Sequence, residues 1–298
     1  MNRNTPSYKI TQITKQLAAS YLPQRRLNSN KGNYGNVLNI AGCNQYPGAA
    51  YFSSISALKS GAGKVMLATN TDTVLVVASK SADITFLDLG SSKAGSIPKD
   101  ALKYIQLVSN PDVYSIGCGL GLSSGTEQFV IEFVNKMMNS QTPIILDADA
   151  LNILAKCKRP AMPLNSAITP HPMELARLLD VDVEEIQSDR IKWAWKAAIN
   201  FDCIVVLKGN GTVIAVPNGQ VFINTTGDSA LSKAGTGDVL TGMISGFCAQ
   251  GLNLENAACL AVYLHGLAGD IAAKSYTQYG VLASNLINYI PFAIKEIL

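Results

Sequence analysis

The chain has 298 residues, of which 48% are hydrophobic and 15% charged, and its formal net charge is +3. This composition supplies enough apolar material for a sizeable core and excludes a largely disordered protein. The charges form no Lys/Arg block, and no aromatic residues interleave with basic ones, so we expect no nucleic-acid partner.

Cysteine usage and the absence of long apolar runs indicate the compartment. No Cys-x-x-Cys pair occurs, so reduced core cysteines are favoured over a disulfide framework or a zinc centre. The N-terminal residues have no apolar run typical of a signal peptide. No uninterrupted stretch of about 18 apolar residues suits a membrane span. We therefore expect a cytoplasmic protein without a membrane partner.

The predicted elements begin after a polar segment, residues 1–30, interpreted as an N-terminal extension with a short helical stretch near residues 13–22. Short β-rich runs then alternate with longer helical segments. Residues 212–216 and 220–223, separated by Pro217-Asn218-Gly219, predict a β-hairpin. The other predicted strands are 37–41, 64–68, 112–116, 143–146, 167–169 and 203–207, and the predicted helices include 48–59, 237–250, 255–273 and a last one ending at residue 298.

The apolar runs of these strands do not alternate with polar residues, which is typical of a parallel sheet buried on both faces. Repeated strand–helix units predict an α/β layer fold with right-handed crossovers. Residues 31–298 show no linker-like composition and no internal repeat. They are therefore predicted to form a single domain.

Candidate functional residues follow the strands, and ligands of doubly wound sheets bind beyond the carboxyl ends of the strands. Glycine-containing turns at that edge let backbone N–H groups approach an anion closely. The residues expected to converge there are Gly42, the glycines of 117–121, Asp147, Asp149, residues 169–174 and Lys208-Gly209.

The strongest local signal is the segment 234–242, Ala-Gly-Thr-Gly-Asp-Val-Leu-Thr-Gly. Gly235, Thr236 and Gly237 allow the loop to wrap a phosphate, and the helix that follows points its positive end at the same place. Asp238 fits either a cap or dipole partner of that helix, or a general base that takes a proton from a substrate hydroxyl. We favour the base. Neither the dinucleotide-binding fingerprint nor a P-loop is present.

The two histidines and one lysine segment leave alternatives open. His171, between two prolines and three residues before Glu174, fits a helix start as well as a ligand contact. His265 lies on an apolar helix and is interpreted as a packed residue, so neither a catalytic triad nor a His-rich metal site is expected. The segment 208–212 fits a strand–turn–strand, or a site for the phosphate or adenosine of a nucleotide.

Taken in chain order, these motifs resemble the ADP-dependent NAD(P)H-hydrate dehydratases. The resemblance spans roughly residues 30–297, and the ordered set is specific although each motif alone is ambiguous. The matching segments are Lys31-Gly32-Asn33-Tyr34-Gly35, Ala41-Gly42, residues 46–50, 60–63, 117–121, 145–151, 169–174, 206–209, 224–227 and 234–242.

The resemblance implies a ribokinase-like three-layer fold, with a central, mostly parallel sheet flanked by helices. It implies repair of the S form of hydrated NADH or NADPH, with ADP as co-substrate giving AMP and phosphate. Asp238 would deprotonate the 6-hydroxyl, and the amides of Gly235–Gly237 would stabilise the transferring phosphoryl group. A homotetramer is also implied.

The resemblance assigns two sets of binding residues. Mg²⁺ is expected to neutralise the diphosphate; its direct ligands are not evident, and Asp147, Asp149 and Glu174 are candidates for water-mediated contact only. The hydrate-binding set is Ala49, Gly117, Gly119, His171 and Asp238, and the nucleotide-binding set is Lys208, Gly209, Asn210, Gly211, Thr212 and Gly237.

Two features qualify the resemblance. Cys118 stands where many relatives have proline, which affects the rigidity of that loop but not its backbone donors. Relatives often carry a separate epimerase domain ahead of this one, and 30 residues are too few to encode it, so we expect the dehydratase alone.

Two other functions compete with this one. A kinase of the same superfamily acting on a vitamin-precursor alcohol would use the same anion site and Asp238. A non-catalytic nucleotide-binding protein would keep the fold and lack turnover. The preference for ADP over ATP stays open, because both nucleotides share the same contacts.

Overall fold

The computed structural model describes residues 8–158 and 160–298. The strands in this part of the chain are β1 (Lys9–Ile13), β2 (Asn36–Ile40), β3 (Lys64–Thr69), β4 (Thr85–Asp88), β5 (Val113–Ile116), β6 (Ile144–Leu146), β7 (Ser166–Ile168), β8 (Ile204–Leu207), β9 (Val213–Ala215) and β10 (Gln220–Asn224). Short 3-10 turns occur at Lys31–Tyr34, Lys99–Ala101 and Ser229–Leu231.

The helices lie between these strands and after the last one. They are α1 (Lys15–Tyr21), α2 (Pro47–Lys59), α3 (Thr71–Ala78), α4 (Leu102–Ile105), α5 (Ser124–Met137), α6 (Ala148–Leu154), α7 (Pro172–Leu179), α8 (Val183–Ser188), α9 (Arg190–Phe201), α10 (Thr236–Ala249), α11 (Leu254–Gly280) and α12 (Ala283–Ile297). The predicted helix 255–273 thus continues to Gly280, with a break at Thr277, where φ is 61°. In the described ranges no helix has both the length and the apolarity needed to cross a membrane.

All these strands form one sheet in the order β1-β10-β9-β8-β7-β6-β5-β2-β3-β4. β9 runs antiparallel to both of its neighbours, β8 and β10, and the other pairings are parallel. This confirms the mostly parallel sheet and the β9–β10 hairpin. The carboxyl ends of the parallel strands consequently share one edge.

Helices cover both faces of the sheet, which confirms the three-layer prediction. On one face α2, α10, α11 and α12 pack over residues such as Val65 and Val206. On the other face α5, α6, α7 and α9 pack over residues such as Leu146 and Leu207. The two faces of β8 therefore belong to different cores, which explains why its sequence is apolar throughout.

The N-terminal segment contributes a strand to this sheet, which was not predicted from the sequence. β1 pairs in parallel with β10, placing Lys9 opposite Gln220 and Ile13 opposite Asn224. α1 then packs on the helical layer with Ala18 buried. The strand was missed because β1 lies at the sheet edge and only Ile13 is fully buried, so its sequence lacks a long apolar run. The division into an N-terminal extension, residues 1–30, and a single domain, residues 31–298, stays a prediction.

Close packing of α2 against α10 sets the position of the glycine loop before α10. A methyl group on Gly242 would lie 2.1 Å from the carbonyl oxygen of Ser53, and one on Gly246 would lie 2.5 Å from that of Ala57. The two helices therefore approach at backbone distance, and glycine is required at both contacts. Beneath α2, the buried amide of Asn39 donates to Ser53 Oγ at 2.8 Å and so ties the helix to the sheet.

Candidate active site

A buried ion pair lies at the carboxyl edge of the sheet. Asp147 follows β6 and Lys208 follows β8, and their Oδ1 and Nζ atoms are 2.7 Å apart. Thr241 of α10 donates to the other oxygen of Asp147 at 2.7 Å. Burial alone raises the pKa of Asp147, but the ammonium of Lys208 outweighs it, and the net direction is down. Asp147 is therefore an ionised, fully engaged carboxylate that anchors Lys208.

His171 and Glu174 cap the start of α7 reciprocally. His171 Nδ1 accepts from the Glu174 amide at 3.2 Å, and the Glu174 carboxylate accepts from the His171 amide at 2.7 Å. Glu174 Oε2 is also 3.7 Å from Lys208 Nζ. The helix-start interpretation of His171 is thus confirmed, while its side chain stays 48% exposed at the edge. Burial and the nearby charge of Lys208 lower the pKa of His171, so its imidazole is neutral at pH 7.

The loop before α10 presents amides and a carboxylate side by side. Gly235 is the N-cap residue with φ 91°, and its carbonyl accepts from Val239. Within the described residues, the amides of Gly237 and Asp238 have no main-chain acceptor, as expected in the first turn of a helix. Because Gly235 occupies the cap position, Asp238 is not the cap. Those amides are free to bind an anion.

Asp238 has the perturbed carboxyl group of the site. Burial raises its pKa to about 7, and the negative charge of Asp147 acts in the same direction. The Cys118 thiol and the Lys208 ammonium act in the opposite direction. A carboxylate whose pKa is close to the working pH is suited to general base catalysis.

Cys118 lies between the two aspartates. Its Sγ is 3.7 Å from Asp147 Oδ2, and the ligand atoms of Cys118, Asp147 and Asp238 all lie within 4.8 Å of one another. Burial, followed by the two carboxylates, raises the pKa of Cys118 well above its usual range. The group is therefore a neutral thiol that donates to carboxylate oxygen.

The structure brings together the glycines after β5 and the start of α2. Gly117, with φ 133°, approaches the carbonyl of Asp147 so closely that a methyl group would lie 1.8 Å from its oxygen. A methyl group on Gly119 would lie 2.7 Å from Ala49 Cβ. Gly121 donates its amide to Asp149 Oδ2 at 2.8 Å. Asp149, in the first turn of α6, is therefore engaged by the loop after β5, and Ala49 and Gly119 share one wall of the edge.

A cavity of about 530 Å³ opens beside the glycine loop. The predicted residues Lys208, Gly209, Asn210, Thr212 and Gly237 line it, whereas Gly211 does not. Much of the remaining wall was not predicted; it comes from the end of β10, the turns after it, α10 and the middle of α11. These further lining residues include Asn224, Thr226, Asp228, Ser229, Leu231, Leu240 and Val262.

Arg190, the first residue of α9, shapes this cavity without having been predicted. Its guanidinium donates to the carbonyls of Leu207 at 3.0 Å, Lys208 at 3.1 Å and Asn210 at 2.7 Å. It thereby fixes the turn after β8 from behind. No sequence motif marks such a residue, because it acts through main-chain carbonyls.

His265 of α11 is buried, as the sequence predicted for a packed residue. It also lines the cavity, and its Nε2 lies 2.8 Å from the carbonyl oxygen of Thr236. No sequence motif indicated this contact.

Comparison with known proteins identifies the family. Residues 37–292 match the family model described as NAD(P)H-hydrate dehydratase. The chain belongs to the NAD(P)H-hydrate dehydratase family. Its sheet order and layers are those of the ribokinase-like fold, which confirms the fold implied by the resemblance.

Individual relatives agree with this assignment. The chain is 39% identical over 290 residues to the bifunctional NAD(P)H-hydrate repair enzyme Nnr of Moorella thermoacetica, covering 96% of this chain and 54% of that protein. It thus spans about half the length of that relative. It is 35% identical over 283 residues to the ADP-dependent (S)-NAD(P)H-hydrate dehydratase of Bacillus subtilis, covering 95% of this chain and 97% of that protein.

A solved structure extends the comparison to the backbone. The ADP/ATP-dependent NAD(P)H-hydrate dehydratase from Bacillus subtilis, co-crystallised with ATP and Mg²⁺, superimposes with a TM-score of 0.84 at 34% identity and covers 100% of both chains. The two chains therefore share one overall backbone architecture along their whole lengths.

Proposed function

We propose that the protein dehydrates the S form of hydrated NADH and NADPH, using ADP as phosphoryl donor and giving AMP and phosphate. The observation that carries this proposal is Asp238, a carboxyl with its pKa raised to about 7 beside free helix amides, in a chain that matches the dehydratase family over residues 37–292. The name of the Bacillus subtilis relative supports ADP dependence and the S form.

Asp238 begins the reaction by removing the proton of the 6-hydroxyl group. The hydroxyl oxygen then attacks the β-phosphorus of ADP, and the bond from that phosphorus to the bridging oxygen breaks, releasing AMP. Phosphate leaves from ring carbon 6, and loss of a proton from the neighbouring carbon restores the double bond. Hydroxide is a poor leaving group, so phosphorylation makes this oxygen able to depart.

The charge that develops on the transferring phosphoryl group would be stabilised by main-chain donors. The amides of Gly237 and Asp238 lack a main-chain acceptor within the described residues, and the positive end of α10 is directed toward the same place. Lys208 adds a positive charge nearby, since a methyl group on Gly237 would lie 3.7 Å from its Nζ. Preorganised donors of this kind need no rearrangement as the charge moves.

The two substrates would occupy different sides of Asp238. The 530 Å³ cavity beside Gly237 would hold ADP, with the turn 208–212 along its adenosine and phosphates. The hydrated nicotinamide would lie on the wall made by Ala49 and Gly119, close to His171. In this proposed arrangement Asp238 would lie between donor and acceptor.

Mg²⁺ is proposed as the cation that neutralises the diphosphate. The donor set fits a water-mediated contact, because oxygen-rich carboxylates suit Mg²⁺, which retains several waters. Asp147 Oδ1 is held by Lys208 at 2.7 Å, so direct coordination there would compete with the ammonium. Asp147, Asp149 and Glu174 would therefore hold the hydrated ion through its waters, and it would supply charge neutralisation of the phosphates.

The assembly and location are further proposals. We infer a homotetramer in the cytoplasm from the resemblance to the family. Light scattering on the purified protein measures the oligomeric state directly, and a monomer at micromolar concentration would contradict the homotetramer.

Hydrated NADH incubated with ADP, or with ATP, tests the activity. Recovery of the dihydronicotinamide absorbance, with one AMP formed per dinucleotide from ADP or one ADP from ATP, supports the proposal, and the ratio of the two rates gives the nucleotide preference. No recovery, together with stable phosphorylation of a thiazole or pyridoxal-like alcohol, would instead identify a small-molecule kinase. If neither reaction occurs while ADP still binds, the protein is a binding module.

A further inference from the structure

A buried imidazole contacts the main chain of the glycine loop from behind. His265 projects from α11, and its Nε2 lies 2.8 Å from the carbonyl oxygen of Thr236. The side chain lines the same cavity as Lys208 and Gly237. The contact therefore joins α11 to the first peptide of α10, the peptide between Thr236 and Gly237.

The protonation state of His265 follows from this contact. Burial lowers its pKa to about 4, so the ring is neutral at pH 7. A carbonyl oxygen only accepts, so Nε2 must carry the proton and donate it to Thr236. The neutral ring with its proton on Nε2 is thus a fixed hydrogen-bond donor.

The accepting carbonyl belongs to the same rigid unit as a donor of the anion site. Thr236 C=O and Gly237 N–H are the two ends of one planar peptide. A hydrogen bond that holds the oxygen also sets the direction of the N–H. It polarises the peptide as well, which strengthens the N–H as a donor.

The side chain of Thr236 restrains the same residue from the other side. Its hydroxyl is 2.8 Å from each of the carbonyl oxygens of Leu231 and Lys233. The Thr236 backbone is therefore held at both side chain and carbonyl, and His265 supplies the restraint that acts on the peptide leading to Gly237.

We propose that His265 is a positioning residue, which aims the Gly237 amide at the transferring phosphoryl group by holding the Thr236 carbonyl. This inference rests on the activity proposed above. It extends that activity by assigning to a buried histidine in the wall of the proposed ADP cavity the alignment of the anion site. A packing residue would require only the shape of the ring.

Three substitutions separate alignment from packing. His265→Gln places an N–H donor near the position of Nε2, His265→Asn places one near Nδ1 where it does not reach, and His265→Met fills the space with no donor. We expect kcat to fall about tenfold in the Met and Asn variants, with the KM for ADP within twofold of wild type. We expect His265→Gln to recover most of kcat.

Equal losses of kcat in all three variants, or losses that follow only the melting temperature, would overturn the proposal. The Asn and Gln pair keeps the test decisive if the Met variant fails to fold. The amide ¹⁵N resonance of Gly237 gives a second readout, since it should shift in His265→Asn and return in His265→Gln. This readout does not require turnover, so an inactive wild-type protein would refute the proposed function while leaving the His265 contact testable.

Discussion

Replacing Asp238 with Asn tests the electrostatic reasoning at the centre of the site. In the folded protein burial and Asp147 raise the pKa of this carboxyl from 3.8 to about 7. At about 1.4 kcal/mol per pH unit, its ionisation costs up to about 4 kcal/mol more in the folded protein than in the unfolded chain. Because the side chain is only partly buried, solvent reduces this cost, and we expect about 1–2 kcal/mol.

The sign of the effect on stability follows from proton binding. Between pH 4 and pH 7 the folded protein retains the Asp238 proton more strongly than the unfolded chain does, so this group lowers stability as pH rises. Asn keeps the shape of the side chain and never ionises. The free energy of unfolding of Asp238→Asn, relative to wild type, should therefore increase from pH 5 to pH 8.

Urea unfolding of both proteins at pH 5 and pH 8 measures this difference, and other titrating groups cancel in the comparison. In the same variant, turnover should fall by 10²- to 10⁴-fold, as expected for loss of a general base, while ADP affinity stays within about twofold. In wild type, kcat/KM should fall about tenfold per pH unit below pH 7. A difference in stability that does not change with pH would refute the assigned pKa, and turnover retained in the variant would refute the base.

Three further substitutions test other contacts. Lys208→Met leaves the buried carboxylate of Asp147 unpaired and should lower the free energy of unfolding in urea by about 3–5 kcal/mol. Adding Asp147→Asn should restore part of this stability. An unchanged unfolding midpoint in Lys208→Met would contradict the ion pair. Arg190→Gln loosens the turn after β8 and should raise the KM for ADP about tenfold, since a charged hydrogen bond contributes about 1.5 kcal/mol or more. A fall of about tenfold in kcat with an unchanged KM for ADP would contradict this role of Arg190. Gly119→Ala places a methyl group into the wall of the proposed hydrate site at φ 63° and should raise the KM for hydrated dinucleotide but not for ADP. Gly251→Ala, also at positive φ but with open space around it, is the matched control and should affect stability alone.

The sheet could be predicted from the sequence wherever a strand is buried on both faces. Strands β2, β3 and β5 to β8 are short apolar runs, and their predicted positions agree with the structure to within one or two residues. β1 and β4 escaped prediction because each lies at an edge of the sheet. Edge strands bury fewer side chains, so their sequences contain fewer hydrophobic residues and a less regular hydrophobic pattern.

The site residues were predictable one by one, but the interactions between them were not. Lys208 and Asp147 were each placed at the correct edge by the strand that precedes them. Their 2.7 Å pair joins residues 61 positions apart, and spacing along the chain contains no information on it. Arg190 and His265 act on main-chain carbonyls, which every residue has, so no motif could reveal their contacts.

Asp147 and Asp238 are two carboxyl groups of one site whose pKa values are shifted in opposite directions. Lys208 and Thr241 saturate Asp147 and hold its pKa below the usual range. Its negative charge then disfavours ionisation of Asp238, which has no ammonium of its own and whose pKa burial has already raised. The aspartate with the stronger partners serves as an anchor for Lys208, and the aspartate with the weaker partners retains an affinity for protons near neutral pH. Burial is therefore the main cause of the raised pKa of Asp238, and the negative charge of Asp147 adds to it while the ammonium of Lys208 opposes it.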